Sequence, residues 1–262
     1  MAKKYNEKNN NIKTKFLGTI RAICILCFFV AVTYIVIWGI SSIENTNLVD
    51  KVKENVNIYR EKEDKDNITN NEIYEFPKYM IDFEGLLETN KDTVAWIKVK
   101  GTEVENVIVK GNNNSYYLNH NFEKKYNVAG WLFADYKNKF DGTDKNIIIY
   151  GHNMLDGSMF GSLTNILKKE WYNNESNYII DFLTESTRDR YQVFSVYKIE
   201  PEDYYIETEF KKTEFEKFVK TIKNRSIKDF GVEVTEDDQI LTLSTCDNTY
   251  TKRIVLHAKK IV

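Results

Sequence analysis

The sequence predicts a mostly β domain, a barrel or a sandwich, standing behind one membrane-spanning helix. Three observations carry this. Eight short apolar runs of strand character lie between residues 94 and 262, several of them separated by turn signals. The chain holds 17 Tyr and 15 Phe but only 2 Pro and 11 Gly, a balance that suits half-buried strands and argues against disorder. The stretch AICILCFFVAVTYIVIWGI, residues 22–40, carries no charge over 19 residues, enough to cross a bilayer as a helix.

Taken in chain order, residues 1–21 form a basic tail. Lys3, Lys4, Lys8, Lys13, Lys15 and Arg21 stand there against the single acid Glu7. The positive-inside rule places this tail in the cytoplasm and the chain beyond about residue 41 outside the cell membrane. A cleaved signal peptide would have a shorter apolar region ending in small residues, whereas this run ends IWGISS, so 22–40 reads as an uncleaved single-pass anchor. Residues 41–75 are polar, and YREKEDKDNITNNE at 59–72 reads as a solvated helix or stalk. From residue 76 to 262 the pattern is that of a folded domain. YMIDFEGLLETN (79–90) suggests a short helix. The strand candidates follow at 94–99, 105–110, 129–135, 146–151, 177–183, 191–199, 239–245 and 253–262, with KGT, KGNNNS and FDGTDK as turns between some of them. TEFEKFVKTIKNRS (213–226) breaks the β pattern. Thr213 and Glu216 are spaced as a capping box, and Phe215, Phe218, Val219 and Ile222 share one helical face, which predicts about three turns of helix before the last two strands.

Charge excludes one class of partner. With 37 basic and 39 acidic residues there is no basic footprint for nucleic acid. Glycine-rich phosphate loops and internal repeats are also missing from the sequence.

The chemistry-bearing residues are few. Cys24 and Cys27 lie in the apolar run, which leaves Cys246 as the only cysteine beyond it. It has no partner there for a disulfide, so it is a reactive thiol, an intermolecular partner or a buried inert side chain. A thiolate nucleophile needs a charge partner and proton donor, which a histidine supplies. Of the three histidines, His120 sits in a loop-like segment and His152 follows a strand in NIIIYGHNM. His257 lies within RIVLHAKK, where alternation allows it a core or a surface place. A structural histidine is the alternative for each. Arg253 is the only arginine after Cys246; it is either a surface charge or a donor to a developing oxyanion. One cysteine and three scattered histidines offer no zinc-type ligand spacing, so neither metal nor cofactor is expected.

These residues resemble a known family. TLSTC (242–246) at a strand end, IYGHNM (149–154) upstream and RIVLHAKK (253–260) downstream look like the catalytic segments of class B sortases, with the resemblance spanning about residues 75–262 and the anchor. Asp247, the helix before the last two strands and NSYYLNHNF (114–122) favour class B over class A. The resemblance implies an eight-stranded β-barrel and a membrane-anchored cysteine transpeptidase of Gram-positive bacteria. Such an enzyme cleaves a C-terminal sorting signal, Asn-Pro-x-Thr-like in class B, after Thr. It joins the surface protein that carried the signal to an amine of the cell-wall peptidoglycan precursor. It further implies Cys246 as nucleophile, His152 as general acid/base and Arg253 as oxyanion stabiliser. Asp247 would add its backbone N–H to the oxyanion hole, and Asn114, Leu118, Tyr150 and Ser244 would line the substrate groove. The groove residues of the loop near 200–212 are not assigned by it. Two other readings fit parts of the pattern. Papain-type peptidases and amidases generally place Cys before His and open a helix with it, unlike the order here. A non-enzymatic anchored barrel would leave the Cys–His–Arg set unexplained.

Overall fold

The structure is a computed structural model that describes residues 2–54, 79–247, 249 and 251–262. The chain divides into two units, Met1–Glu44 and Asn45–Val262. One continuous helix, α1 (Ala2–Glu54), supplies the first unit and reaches into the second. Within it, Phe16–Lys53 is long and apolar enough to cross a membrane. Leu26, Phe28, Phe29, Val30 and Ile35 are all exposed on it, an apolar surface that a water-facing helix does not carry. The charged stretch at 59–72 lies outside the described residues.

In the second unit all eight expected strands form: β1 (Thr93–Val99), β2 (Glu105–Val109), β3 (Phe133–Ala134), β4 (Asn146–Tyr150), β5 (Ile179–Leu183), β6 (Arg188–Ile199), β7 (Ile240–Cys246) and β8 (Arg253–Lys260). They close into a barrel in the order β1-β2-β3-β4-β7-β8-β6-β5, so the choice between barrel and sandwich falls to the barrel. Closure leaves no open sheet edge. The neighbours are antiparallel except β2–β3 and β4–β7. Trp96, Ile97, Val107, Phe182, Val193, Leu243 and Leu256 are among the buried side chains of the core.

Among the described residues, three α-helices beyond α1 accompany the strands. Asp82 caps α2 (Phe83–Thr89) by accepting from the Gly85 N–H at 3.1 Å. A single turn, α3 (Lys169–Tyr172), follows β4. The amphipathic segment becomes α4 (Lys212–Arg225), and Phe215, Phe218, Val219 and Ile222 are buried, as their spacing requires. Its cap differs from the expected one. Glu214, rather than Glu216, reaches back to accept from the Lys211 N–H at 3.1 Å, because the helix begins two residues earlier and Thr213 lies inside its first turn.

The end of α1 belongs to the second unit through Leu48 and Val52, which are buried in its core. A fragment beginning at residue 41 should therefore fold as stably as the full chain. One beginning at residue 55 should lose about 3 kcal/mol, roughly 1.5 for each uncovered side chain. In a domain of this size that is about 6–12 °C in Tm. Thermal melting of the two fragments decides this, and equal Tm values would mean the helix end contributes no stability.

Candidate active site

The register of three strands assembles the site. β7 and β8 pair antiparallel, and their last pair sets Cys246 directly opposite Arg253. Cross-strand neighbours of this kind have Cβ atoms about 4.5–5.5 Å apart. β4 lies on the other side of β7 and runs parallel to it, with Tyr150 beside Ser244. Beyond that pair the two chains stay together: the Gly151 N–H donates to Ser244 O at 3.4 Å, and the Thr245 hydroxyl donates to Gly151 O at 2.8 Å. The chain leaving β4 then carries His152 to the cleft that Cys246 lines. All three side chains line one open cleft of about 450 Å³.

The His152 ring is held from the opposite wall. Its Nε2 lies 2.7 Å from Leu118 O. A carbonyl can only accept, so Nε2 carries the proton and Nδ1 is the nitrogen left for other chemistry. Leu118 ends a short 3-10 turn, Tyr116–Leu118. Gly130 packs against that turn at φ +57°, and a Cβ there would stand 2.3 Å from Tyr117 O and 2.8 Å from Leu118 O. A glycine is thus required for the turn to sit where its carbonyl meets the histidine.

Asn114, Leu118, Tyr150 and Ser244, expected in the groove, all line the cleft. Sequence reasoning missed what aligns two of them. The buried Asp135 accepts from Asn114 Nδ2 and from the Tyr150 hydroxyl through one oxygen, each at 2.8 Å. The Tyr136 N–H donates to Asn114 Oδ1 at 3.0 Å, which fixes the orientation of the amide. Burial first, and then the Asp135 charge, push the Tyr150 phenol well above its ordinary pKa. The phenol therefore stays a neutral donor. Within the 200–212 loop, whose groove residues the sequence left unassigned, Pro201, Glu202, Asp203, Tyr205 and Ile206 form one wall of the cleft. The Tyr205 hydroxyl lies 3.1 Å from Ser244 Oγ, tying that wall to β7. Nothing in the composition of 200–206 announces such a role.

Asp247 departs from expectation. It does not line the cleft, and its N–H is not a free donor, because it donates to Lys252 O at 2.9 Å. Its buried carboxylate organises the turn between β7 and β8. It takes an ion pair from Lys198 at 2.7 Å and accepts from the Thr249 hydroxyl and from the N–H groups of Thr251 and Lys252. The Lys198 ammonium first, then these donors, hold its pKa well below the usual carboxylate range. This explains how a six-residue connection can return the chain so that Arg253 stands opposite Cys246.

His257 is fully buried, away from the cleft lining. Its partners fix every proton around it. The Asn146 side-chain N–H donates to Glu207 O at 2.8 Å, so Asn146 Oδ1 is the acceptor for the Thr242 hydroxyl at 2.6 Å. Thr242 Oγ1, its one proton spent, accepts from His257 Nδ1 at 2.8 Å. His257 Nε2 then accepts from the Tyr197 hydroxyl at 2.8 Å. With the ring neutral, each donor in this chain has its acceptor. Burial, and secondarily the Arg225 charge, hold its pKa down at about 3.

A pH prediction follows. Unfolded, the ring takes a proton near pH 6.5; folded, it stays neutral down to about 3. Between those values the unfolded state binds the extra proton, so stability is full above about 6.5 and falls as pH drops. From pH 6.5 to 5.0 this group should remove about 2 kcal/mol. Denaturant unfolding at both pH values, in the native chain and in His257→Gln, tests it; an equal acid loss in the variant would assign the proton elsewhere.

A closed barrel with a cysteine at a strand end, a histidine in the same cleft and an arginine across from the cysteine defines a cysteine-nucleophile enzyme. Residues 97–261 match the family described as Sortase domain, and the chain belongs to the sortase family, in class B. It is 39% identical over 183 residues to Sortase B of Staphylococcus aureus, covering 68% of this chain and 74% of that protein. The structure of sortase B from B. anthracis in complex with AAEK1 aligns with a TM-score of 0.70 at 34% identity, covering 85% of this chain and 98% of that one. The Staphylococcus aureus sortase B–substrate complex aligns at 0.64 and 33%, covering 85% and 93%. The protein is thus a cysteine transpeptidase of the cell-wall type.

Proposed function

We propose that the chain cleaves an Asn-Pro-x-Thr-like C-terminal sorting signal after Thr and transfers the surface protein to a peptidoglycan-precursor amine. The observation that carries this reading is the Cys246–Arg253 cross-strand pair, with His152 lining the same cleft. Cys246 passes its thiol proton to His152 Nδ1, and Sγ, now a thiolate, attacks the Thr carbonyl carbon. The carbonyl becomes an oxyanion that Arg253 meets with its guanidinium N–H groups. As the oxyanion collapses, the C–N bond breaks and the leaving amine takes a proton from His152. A thioester to Cys246 remains. The acceptor amine then attacks it, returns its proton to His152, and expels the thiolate with a new amide formed. Asn114, held by Asp135, keeps one amide N–H for the peptide, and Tyr150, Ser244 and Leu118 supply the groove. Asp247 acts by shaping the turn that presents Arg253, in place of the oxyanion-hole role first expected of its N–H. Residues 22–40 anchor the enzyme, with 1–21 in the cytoplasm and the catalytic barrel in 76–262 outside, joined by 41–75, whose helical start packs into the barrel domain through Leu48 and Val52.

A fluorogenic peptide panel with Asn-Pro-x-Thr, Ser-Pro-x-Thr and Leu-Pro-x-Thr cores tests the substrate. Cleavage after Thr should favour the Asn-Pro core, with faster turnover when a glycine-peptide amine is added. Preference for Leu-Pro-x-Thr would overturn the signal assignment, and no cleavage of any core would overturn the reaction.

A further inference from the structure

The cleft wall formed by residues 202–207 has no regular structure beyond the 3-10 turn Tyr204–Ile206, yet both its ends are tied to the same buried polar chain. At one end, the Glu202 carboxylate is paired with the Arg225 guanidinium at the end of α4. That guanidinium also lies over two rings, 5.3 Å from the centroid of Tyr204 and 5.9 Å from that of Tyr197. From Tyr197 the chain runs through His257, Thr242 and Asn146, whose amide N–H closes on Glu207 O at the other end of the wall. With the His257 ring neutral, the donors run in one direction through the chain. It crosses β6, β8, β7 and β4, the strands behind the cleft, and so refers the wall to the same scaffold that carries Cys246 and His152.

We propose that Arg225 is a positioning residue for substrate recognition: by clamping Glu202 against the buried chain through Tyr197, it sets the width of the cleft between residues 202–207 and the β4–β7 side. Arg225 does not itself line the cleft or reach the reacting sulfur; it touches the lining only through Glu202. Its effect is carried by Glu202, by Tyr204 and by the neighbouring Tyr205, whose hydroxyl meets Ser244. Only a guanidinium can serve a carboxylate in its plane and two aromatic faces at once, so a lysine should not replace it. The inference rests on the reading of this cleft as the peptide site, and its test separates the two.

The full chain in detergent is assayed with the cleavable peptide as Arg225→Ala, Arg225→Lys, Glu202→Gln and the double variant Glu202→Gln/Arg225→Ala. A positioning role raises KM about ten-fold in Arg225→Ala with kcat changed less than about three-fold, and Arg225→Lys recovers little. The double variant should be no worse than Arg225→Ala, because both changes break one link. General destabilisation would instead lower kcat through the active fraction and leave KM alone, and that result, or unchanged kinetics, overturns the inference. Hydrogen–deuterium exchange gives a readout independent of substrate. Glu202→Gln should speed exchange in 202–207 while α4 and the barrel strands stay as in the native chain; no selective change there also overturns it. If the native chain cleaves no peptide, the functional reading falls, and the exchange result alone decides whether Arg225 clamps the wall.

Discussion

Cys246→Ala should abolish peptide cleavage, by at least about 10⁴-fold, while Tm moves by no more than about 2 °C. Both halves come from where the sulfur sits. Cys246 is the last residue of β7, half-buried at the cleft, so its side chain fills no core space whose loss would leave a cavity. The strand is held by its ladders to β4 and β8 and by the Thr245–Gly151 hydrogen bond, none of which uses the thiol. Without it the covalent route has no nucleophile, because the cleft lining contains no second cysteine and Ser244 is engaged with Tyr205. Peptide turnover and thermal melting on the same sample settle it. Residual cleavage near the native rate would remove the thiol mechanism; a collapse in Tm would assign the residue to stability instead.

How far the sequence could be read follows from where each feature gets its determinants. The barrel strands carry theirs locally: ILTLST and RIVLHA are runs of β-branched and apolar residues, so they could be placed within a residue or two. AGWLFAD looked like a full strand, but only Phe133 and Ala134 pair, because the residues before them are spent on other bonds. The Trp131 N–H donates to Tyr117 O and its indole N–H to Val107 O, and Gly130 must turn the chain. The Cys–His–Arg set proposed as catalytic stood out in the sequence because a lone thiol, a histidine after a strand and an arginine opening the next strand are rare in one chain. Asp247 misled for the complementary reason. Its neighbour in sequence is Cys246, but its partner in space is Lys198, 49 positions earlier, which no local pattern announces. The cleft wall 200–206 has no periodicity at all; its shape comes from Arg225, Asn146 and Ser244, each distant in the chain.

Arg253→Ala and His152→Ala should each lower kcat by orders of magnitude, but they should differ in what restores activity. Arg253 begins β8, opposite Cys246, and among the described residues its guanidinium makes only a long contact, 3.5 Å from Nη1 to Lys252 O. Its guanidinium is therefore free to turn to charge that develops only as the thiolate adds to the carbonyl. Loss of such a donor should cost about 10²–10³ in kcat with little change in KM, since the ground-state carbonyl has less to give it. Arg253→Lys should recover only part of this, because an ammonium lacks the planar fork. His152→Ala removes the proton donor to the leaving amine and should cost about 10²–10⁴ on a peptide. A thioester or activated ester substrate, whose leaving group needs no proton, should narrow that loss while leaving the Arg253→Ala deficit in place. His257 supplies the internal control among the histidines. Buried in the chain behind the cleft, it should reach activity through stability and KM rather than through the pH dependence of kcat. Kinetics of the four variants on one peptide and one activated ester separate these outcomes. A folded His257→Gln that is inactive on both, beside an active His152→Ala, would move the acid/base role to the buried ring and refute the site drawn here.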